Sequence, residues 1–256
     1  MVKKWLSLFI SFSLVLGVVS LPAQAAGTAS VVATGKTVSF SGGKRAVKLV
    51  YVNLNDAKLE ILPVLAGNKI GSTESLESMA KRTGAYAAIN GSFFNSYDKG
   101  AYKKTHGEII INYQEVNEGW TGASIGFTEA NKPVIGSSRS FKTMDEQFEN
   151  MTSAGPTLLQ GGKIVLNPKA EGMNDPKITT QSGQRSFIGY TKTNRLVLGT
   201  VPNVTTGQLA QICKALDLEA ALNMDGGASS GLYANGKYVT KPGRLLSNAL
   251  VIIPKK

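Results

Sequence analysis

Short aliphatic and β-branched runs, bounded by glycine, asparagine and proline, recur along the whole chain. Runs such as residues 45–54 and 58–66 alternate partly with period two, which is typical of β-strands. Gly161-Gly162 and Asn235-Gly236 each separate two such runs and predict tight hairpin turns. The pattern predicts ten or more strands and two or three helices, the weakest helix over residues 143–151. We therefore expect one α+β domain, strand-rich and mixed, with the helices packed on the sheet.

Two segments predict helices by the signals at their ends. The first, residues 72–84, offers Ser72 or Thr73 as an N-cap and finishes on a glycine. The second, residues 205–218, places a glutamine three residues after Thr205, which is capping-box spacing, and carries an apolar stripe. Each predicted helix leads into a short apolar run that suits a buried strand.

The N-terminal residues predict export. Lys3 and Lys4 precede the apolar run Leu6–Leu21, and small residues follow it, so residues 1–25 are expected to be a secretory signal peptide. The run is short for a membrane span, although a retained N-terminal anchor is the alternative. Cys213 is the only cysteine, which excludes an intrachain disulfide and favours a bacterial exported protein. We expect a secreted or cell-wall-associated protein that does not span the membrane once the signal is cleaved.

The formal net charge of +11 points to anionic partners. For an exported protein these are phosphate-bearing glycans or anionic cell-wall polymers, although a merely soluble basic surface explains the charge equally well. The chain has no zinc-finger spacing, helix-turn-helix pattern or aromatic RNA-binding motif, so a nucleic-acid partner is not expected.

Two predicted strands end in the same way, in a polar tip that contains glycine. Residues 87–95 read AAINGSFFN, and residues 221–231 read ALNMDGGASSG. Glycine lets the backbone approach a ligand closely, and consecutive amides can bind anionic oxygens. Asp225 suits a hydrogen-bond acceptor, a metal ligand or a catalytic acid or base. Asn-Gly or Asp-Gly alone usually marks a turn, but the repeated design and the phenylalanines of the first tip favour a site.

Several blocks of the chain resemble the phosphodiester glycosidase family. They are GAYAAINGSFF, GPTLLQGGKIV, QRSFIGYTKTNRLVLGTV, the segment from Thr205 to Lys237 and SNALVII, in the family's order and spacing. The resemblance runs from about Arg45 to the C-terminus, so we expect the family-like domain at residues 45–256 and an N-terminal extension or edge strands at 26–44. This is the family of the lysosomal enzyme that removes N-acetylglucosamine from a phosphodiester on mannose. The resemblance implies an exported glycosidase that hydrolyses sugar-1-phosphodiester bonds in cell-wall or extracellular glycans.

The resemblance also assigns roles to individual positions. It implies a catalytic Asp225 and a set of substrate-binding residues: Asn90, Gly91, Phe94, Arg185, Ser186, Gly226, Gly227 and Ser229. This sequence departs from the family pattern at Met224, Ser186 and Ala228, where leucine, threonine and glycine are usual. It also lacks the histidine-proline pair often found just before the position of Arg185.

The chemistry of such a reaction fits these residue types. Arg185 is the best candidate to clamp the phosphate, because a guanidinium matches phosphate oxygens with two hydrogen bonds. Asp225 can stabilise an oxocarbenium-like sugar or position a nucleophile. Glu108 is the expected second carboxylate, with Glu171 and Asp175, in the polar loop 167–183, as rivals.

His106, the only histidine, is a candidate acid or base. A zinc site is excluded by ligand count, and no cofactor is expected, although a calcium ion held by Asp225 and backbone carbonyls is an alternative. Two other functions stay open: a non-catalytic cell-wall glycan-binding module, and a glycanase that acts on ordinary glycosidic bonds.

Overall fold

The computed structural model describes residues 30–119, 122–137 and 148–255. The expected signal peptide, residues 1–25, lies outside the described residues. So does most of the helix predicted over residues 143–151, whose last two residues belong to a strand instead.

Within the described ranges the chain forms seventeen strands and three α-helices. The helices are α1 (Leu76–Thr83), α2 (Pro176–Thr179) and α3 (Thr206–Ala215). The strands are β1 (Val31–Phe40), β2 (Gly43–Asn53), β3 (Leu59–Leu65), β4 (Ala87–Asn90), β5 (Ile109–Ile111), β6 (Gln114–Asn117), β7 (Ala123–Phe127), β8 (Pro133–Ser137), β9 (Asn150–Ala154), β10 (Thr157–Gln160), β11 (Lys163–Ile164), β12 (Gly183–Tyr190), β13 (Arg195–Val204), β14 (Ala220–Asn223), β15 (Leu232–Ala234), β16 (Lys237–Thr240) and β17 (Asn248–Pro254).

The strands form three antiparallel sheets. A seven-stranded sheet has the order β1-β2-β13-β12-β14-β10-β11, and the two five-stranded sheets have the orders β16-β15-β4-β17-β3 and β6-β5-β9-β7-β8. The predicted hairpins at Gly161-Gly162 and Asn235-Gly236 are confirmed as the β10–β11 and β15–β16 pairs. The expected α+β class is therefore confirmed, as one strand-rich domain with few helices.

One hydrophobic core is shared by all three sheets, and the longer helices cover outer faces. On β4, Ala87 and Ile89 point into the shared core while Ala88 points the other way, toward the cluster that contains α1. This alternation follows from the two-residue period of a strand. The helix α3 packs in the same way on the seven-stranded sheet, where Cys213 is fully buried. Short strands such as β4 and β14 are buried on both faces because a helix or sheet covers each side.

The first helix begins later than the sequence indicates. Its N-cap is Ser75, whose Oγ accepts a hydrogen bond from the Ser78 amide at 3.1 Å, and not Ser72 or Thr73. The reason is tertiary, because Glu74 forms a β-bridge with Leu246 and the backbone stays extended up to that residue.

The capping box of α3 is confirmed. The Thr205 hydroxyl accepts from the Gln208 amide at 3.2 Å, and the Gln208 side chain accepts from the Thr205 amide at 3.0 Å. Among the described residues, no helix combines the length and the apolar character that crossing a bilayer requires.

We expect Thr205→Ala to lower the free energy of unfolding by about 1 kcal/mol, because it leaves the Gln208 amide without its cap. Urea denaturation measures the change. Thr193→Ala, in an exposed turn, is the matched control and should change stability by less than about 0.5 kcal/mol. Equal losses in the two variants would contradict a stabilising role for the capping box.

Candidate active site

The two glycine-containing tips meet, although their strands belong to different sheets. The Asn90 side-chain amide donates to the Asp225 carbonyl at 2.7 Å, and the Asp225 amide approaches the Gly91 carbonyl at 3.4 Å. Asn90 Oδ1 in turn accepts from the Gly231 amide at 3.0 Å. A single buried side chain thus joins the end of β4 to both sides of the Asp225 tip.

A second asparagine, Asn248 at the start of β17, fixes the first tip from behind. Its Oδ1 accepts from the Ser92 amide at 2.7 Å, and its carbonyl accepts from the Gly91 amide at 3.2 Å. A Cβ on Gly91 would overlap Asn248 Oδ1, so only glycine fits there. The structure therefore places Asn90 and Gly91, which the resemblance assigned to substrate binding, in the support of the site.

A cavity of about 530 Å³ opens beside the joined tips. Its lining comes from the first tip and the loop after it, from residues 172–178, from the Asp225 tip, and from single residues elsewhere. The lining residues are Phe93, Phe94, Ser96, Tyr97, His106, Gly172, Met173, Asn174, Asp175, Lys177, Ile178, Arg185, Asp225, Gly226, Gly227, Ala228, Ser229 and Arg244. Most of the predicted site residues are brought together here from remote parts of the chain.

Asp225 follows β14 directly, where a short 3₁₀ turn, Gly227–Ser229, reverses the chain. Its Oδ1 accepts from the Gly226 amide at 2.8 Å. Burial raises the pKa of the Asp225 carboxyl to about 6, and the Ser229 hydroxyl, the Gly226 amide and the charge of Arg244 only partly offset that rise. Asp225 therefore changes its protonation state close to neutral pH, as catalytic carboxyl groups commonly do.

Arg185 is buried, and its guanidinium holds three backbone carbonyls. Nε donates to Val204 at 3.2 Å, and one terminal nitrogen, Nη2, donates to Lys177 at 2.8 Å and to Gln181 at 2.6 Å. The other terminal nitrogen, Nη1, lies 3.6 Å from where a Cβ on Gly226 would stand. Arg185 therefore anchors the segment that contains α2, and it also lines the cavity, with Nη1 beside Gly226.

Ser186, the residue after Arg185, is fully buried and does not line the cavity. Its carbonyl accepts from the Met224 amide at 2.9 Å, which holds the residue before Asp225. It supports the tip from the neighbouring strand, as Asn90 does from the other sheet.

The three candidates for a second carboxylate lie in different places. Glu108 is buried just before β5, outside the cavity lining, and its carbonyl accepts from the Ser153 amide at 2.9 Å. The Glu171 carboxylate accepts from the Thr157 amide at 3.0 Å, and burial raises its pKa. Asp175 lines the cavity and caps α2 through the Lys177 amide at 2.8 Å. Asp175 is thus the candidate that shares the cavity with Asp225.

His106 lines the cavity, and its backbone is positioned by the hydrogen bond from its amide to the Phe93 carbonyl at 2.9 Å. Burial, and then the charge of Lys104, lower the pKa of its imidazole below the usual value. The ring is therefore neutral at pH 7 and able to accept a proton. In the part of the chain that the structure describes, no group of three or more His, Cys, Asp or Glu side chains is placed to hold a metal ion.

The sequence analysis missed several cavity residues, among them the aromatic Tyr97 and the basic Lys177 and Arg244. The Arg244 guanidinium donates to Ser96 Oγ and approaches the Tyr97 hydroxyl at 3.4 Å. The Arg244 Cζ and the Lys177 Nζ lie 4.9 Å and 4.7 Å from the centroid of the Tyr97 ring. No local pattern marks these residues, and the only signal was the general excess of positive charge.

Residues 83–253 match the phosphodiester glycosidase family model. This chain belongs to the phosphodiester glycosidase family. The matched range contains every residue that lines the cavity, Arg244 included. No curated protein matches this chain in sequence.

Two of the solved structures that share the fold illustrate the likeness. A hypothetical protein from Synechocystis superposes with a TM-score of 0.79 at 17% identity, over 88% of this chain and 62% of its own, so this chain spans less than two thirds of it. The catalytic domain of zebrafish N-acetylglucosamine-1-phosphodiester alpha-N-acetylglucosaminidase, auto-inhibited by its pro-peptide, superposes with a TM-score of 0.74 at 19% identity, over 90% and 85% of the two chains.

We expect Asn90→Asp to lower the free energy of unfolding by about 2–4 kcal/mol. The variant loses the amide donor and sets a carboxylate against the Asp225 carbonyl inside the protein. Urea denaturation measures the loss. The control, Asn55→Asp, is exposed and keeps the acceptor for Asn194, so it should be nearly neutral. A nearly neutral Asn90→Asp would contradict the proposed support of the tip.

Asp225→Asn should raise stability at pH 7 by about 1 kcal/mol or more, because one pKa unit corresponds to about 1.4 kcal/mol and the group keeps some exposure. The folded-state pKa of Asp225 lies above the unfolded value. The native chain therefore binds more protons between about pH 4 and 6, and this group's contribution to stability falls as the pH rises through that window. Thermal denaturation of the wild type and of Asp225→Asn at pH 4 and pH 7 measures the stability difference between them. A difference that does not grow from pH 4 to pH 7 would contradict the raised pKa.

Proposed function

We propose that this phosphodiester glycosidase hydrolyses the bond between the anomeric carbon of a sugar, N-acetylglucosamine or a close relative, and the phosphate of a phosphodiester. The observation that carries the proposal is the pairing of charges in one cavity. Asp225, with a pKa of about 6, lies beside the Gly226-Gly227 turn, and the buried basic side chain of Arg185 lines the same space. A negative group is needed for the sugar cation and positive groups for the phosphate.

The scissile phosphate is assigned to the floor of the cavity. Arg185 Nη1 faces Gly226 there, and Gly227 adopts a φ of 60°, which exposes the backbone of the turn. Backbone amides in such turns bind anionic oxygens, and a guanidinium strengthens that binding through charge-assisted hydrogen bonds. Arg185 is itself held rigidly by its three carbonyl contacts, so its free nitrogen needs little ordering when the phosphate arrives.

Cleavage of this bond requires little help from an acid, since a phosphate monoester is a good leaving group. Above pH 6 Asp225 is mainly ionised and can stabilise the oxocarbenium-like sugar or take a proton from the attacking water. The anomeric carbon then gains the hydroxyl of water, and the phosphate leaves with the electrons of the broken carbon–oxygen bond. The neutral imidazole of His106, in the same cavity, is a second acceptor for the water's proton.

The apolar side of the cavity suits a sugar ring. Phe93 and Phe94 follow the first tip directly, and Met173 and Ile178 line the cavity from the α2 segment. Ligand cavities usually combine such apolar walls with a few well-placed polar groups. Export to the cell wall or the extracellular space is part of the proposal and is supported by the N-terminal pattern and the net charge of +11.

The test is release of free N-acetylglucosamine from the methyl phosphodiester of N-acetylglucosamine 1-phosphate by the purified protein. Asp225→Asn should lower kcat/KM by roughly 10²–10⁴-fold while the protein stays folded. For the wild type, kcat/KM should rise with pH to a plateau, with a midpoint near 6. Asp217→Asn, at an exposed turn outside the cavity, is the matched control and should keep full activity.

Other outcomes would overturn the proposal. Equal turnover of a phosphate-free aryl N-acetylglucosaminide would identify a glycanase for ordinary glycosidic bonds. Binding of the phosphodiester with no turnover at any pH would identify a glycan-binding module.

A further inference from the structure

The Tyr97 ring makes cation–π contacts with two basic side chains at the mouth of the cavity. Lys177 comes from α2, Arg244 from the turn before β17, and Tyr97 from the loop after the first tip. Both cationic groups lie within 5 Å of the centroid of one ring, so they are at most about 10 Å apart. The ring face attracts a cation, and the two contacts bring together like charges that would otherwise separate.

No carboxylate of the described residues is in direct ionic contact with this pair. Neither Lys177 nor Arg244 takes part in a salt bridge there, and the carboxylate of nearby Asp175 accepts the backbone amide at the start of α2. Arg244 acts on the charge of Asp225, which lies deeper, and Arg244 is anchored by Ser96 and the Tyr97 hydroxyl. Two cations that lie on one ring, form no salt bridge among the described residues and stand beside the proposed phosphate site are arranged for a further negative group.

The two cations are separate from the proposed seat of the scissile phosphate. That phosphate is assigned to Arg185 and the glycine turn at the floor, while Tyr97 is 73% exposed and marks the mouth. We place the sugar inside, against Asp225 and the phenylalanines, and therefore assign the group on the far side of the phosphate to the Tyr97 side of the cavity. That group is the part of the substrate that leaves with the phosphate.

We propose that Tyr97, Lys177 and Arg244 form a second anion subsite, which binds a second phosphate on the leaving group. The preferred substrates are then sugar 1-phosphodiesters whose leaving group carries another phosphate. The second phosphate is either bonded directly to the first, as in a nucleoside diphosphate sugar, or spaced from it, as in a polymer of phosphodiesters. The inference rests on the proposed function, because it takes the position of the scissile phosphate from it.

The kinetic test compares three N-acetylglucosamine 1-phosphodiesters: the methyl ester, a nucleoside diphosphate sugar, and an ester of glycerol phosphate. We expect the wild type to prefer at least one doubly phosphorylated substrate, by about tenfold in kcat/KM over the methyl ester. Whichever of the two doubly phosphorylated substrates has the higher kcat/KM identifies the spacing between the two phosphates. Equal kcat/KM for all three would overturn the inference.

Variants test which residues cause the preference for a doubly phosphorylated substrate. Lys177→Gln and Tyr97→Leu should each reduce the preference by about tenfold, because the first removes a charge and the second removes the ring that holds both cations. Tyr97→Phe keeps the ring and should keep most of the preference. Lys36→Gln, on the edge strand β1 and outside the cavity, controls for net charge and should leave the preference unchanged. A preference that survives in both Lys177→Gln and Tyr97→Leu would contradict the subsite.

A binding measurement separates this inference from the proposed function. By isothermal titration at fixed ionic strength, the wild type should bind inorganic pyrophosphate more tightly than inorganic phosphate, and Lys177→Gln should lose the difference. If this holds without turnover of any sugar phosphodiester, the second subsite stands and the proposed reaction fails. If the methyl ester is hydrolysed but pyrophosphate has no advantage, the reaction stands and the subsite fails. Circular dichroism checks that each variant is folded.

Discussion

The hydrogen bonds of one buried amide, that of Asn90, hold the candidate site together. Its nitrogen donates to the Asp225 carbonyl and its oxygen accepts from the Gly231 amide. These two bonds join strands of two sheets at the place where both end. An amide can do this because it has a donor and an acceptor on one rigid plane, whereas aspartate or leucine lacks one or both. The position of the Asp225 carboxyl group depends on that join.

Burying the Asp225 carboxyl group lowers the stability of the folded protein and raises the pKa of that group. Burial makes the Asp225 carboxylate costly at neutral pH, and this same cost raises its pKa into the range where a proton can move in either direction. Lys177 and Arg244, gathered on Tyr97, concentrate positive charge at the mouth of the same cavity. The surrounding sheets, helices and asparagine contacts supply the stability that permits this local cost.

Local sequence signals predicted local structure well. The hairpins at Gly161-Gly162 and Asn235-Gly236 and the capping box at Thr205 are confirmed, since their geometry is decided within a few residues. The predicted N-cap of α1 was wrong, because a β-bridge to Leu246, far along the chain, keeps the backbone extended through Glu74. In the site, pattern and resemblance pointed to Asp225 and Arg185 in the cavity, but they did not separate the side chains that line it from those, such as Ser186, that support it.

The sequence by itself determined that two buried strands end in glycine-containing tips, because strand period, helix caps and turn residues act over short distances along the chain. Only the tertiary structure decided that these tips face one cavity and that Tyr97, Lys177 and Arg244 meet at its mouth. Tyr97 and Arg244 are 147 positions apart, and nothing in either neighbourhood marks them as partners. Such contacts arise from the packing of whole sheets against one shared core, which no local pattern of residues specifies.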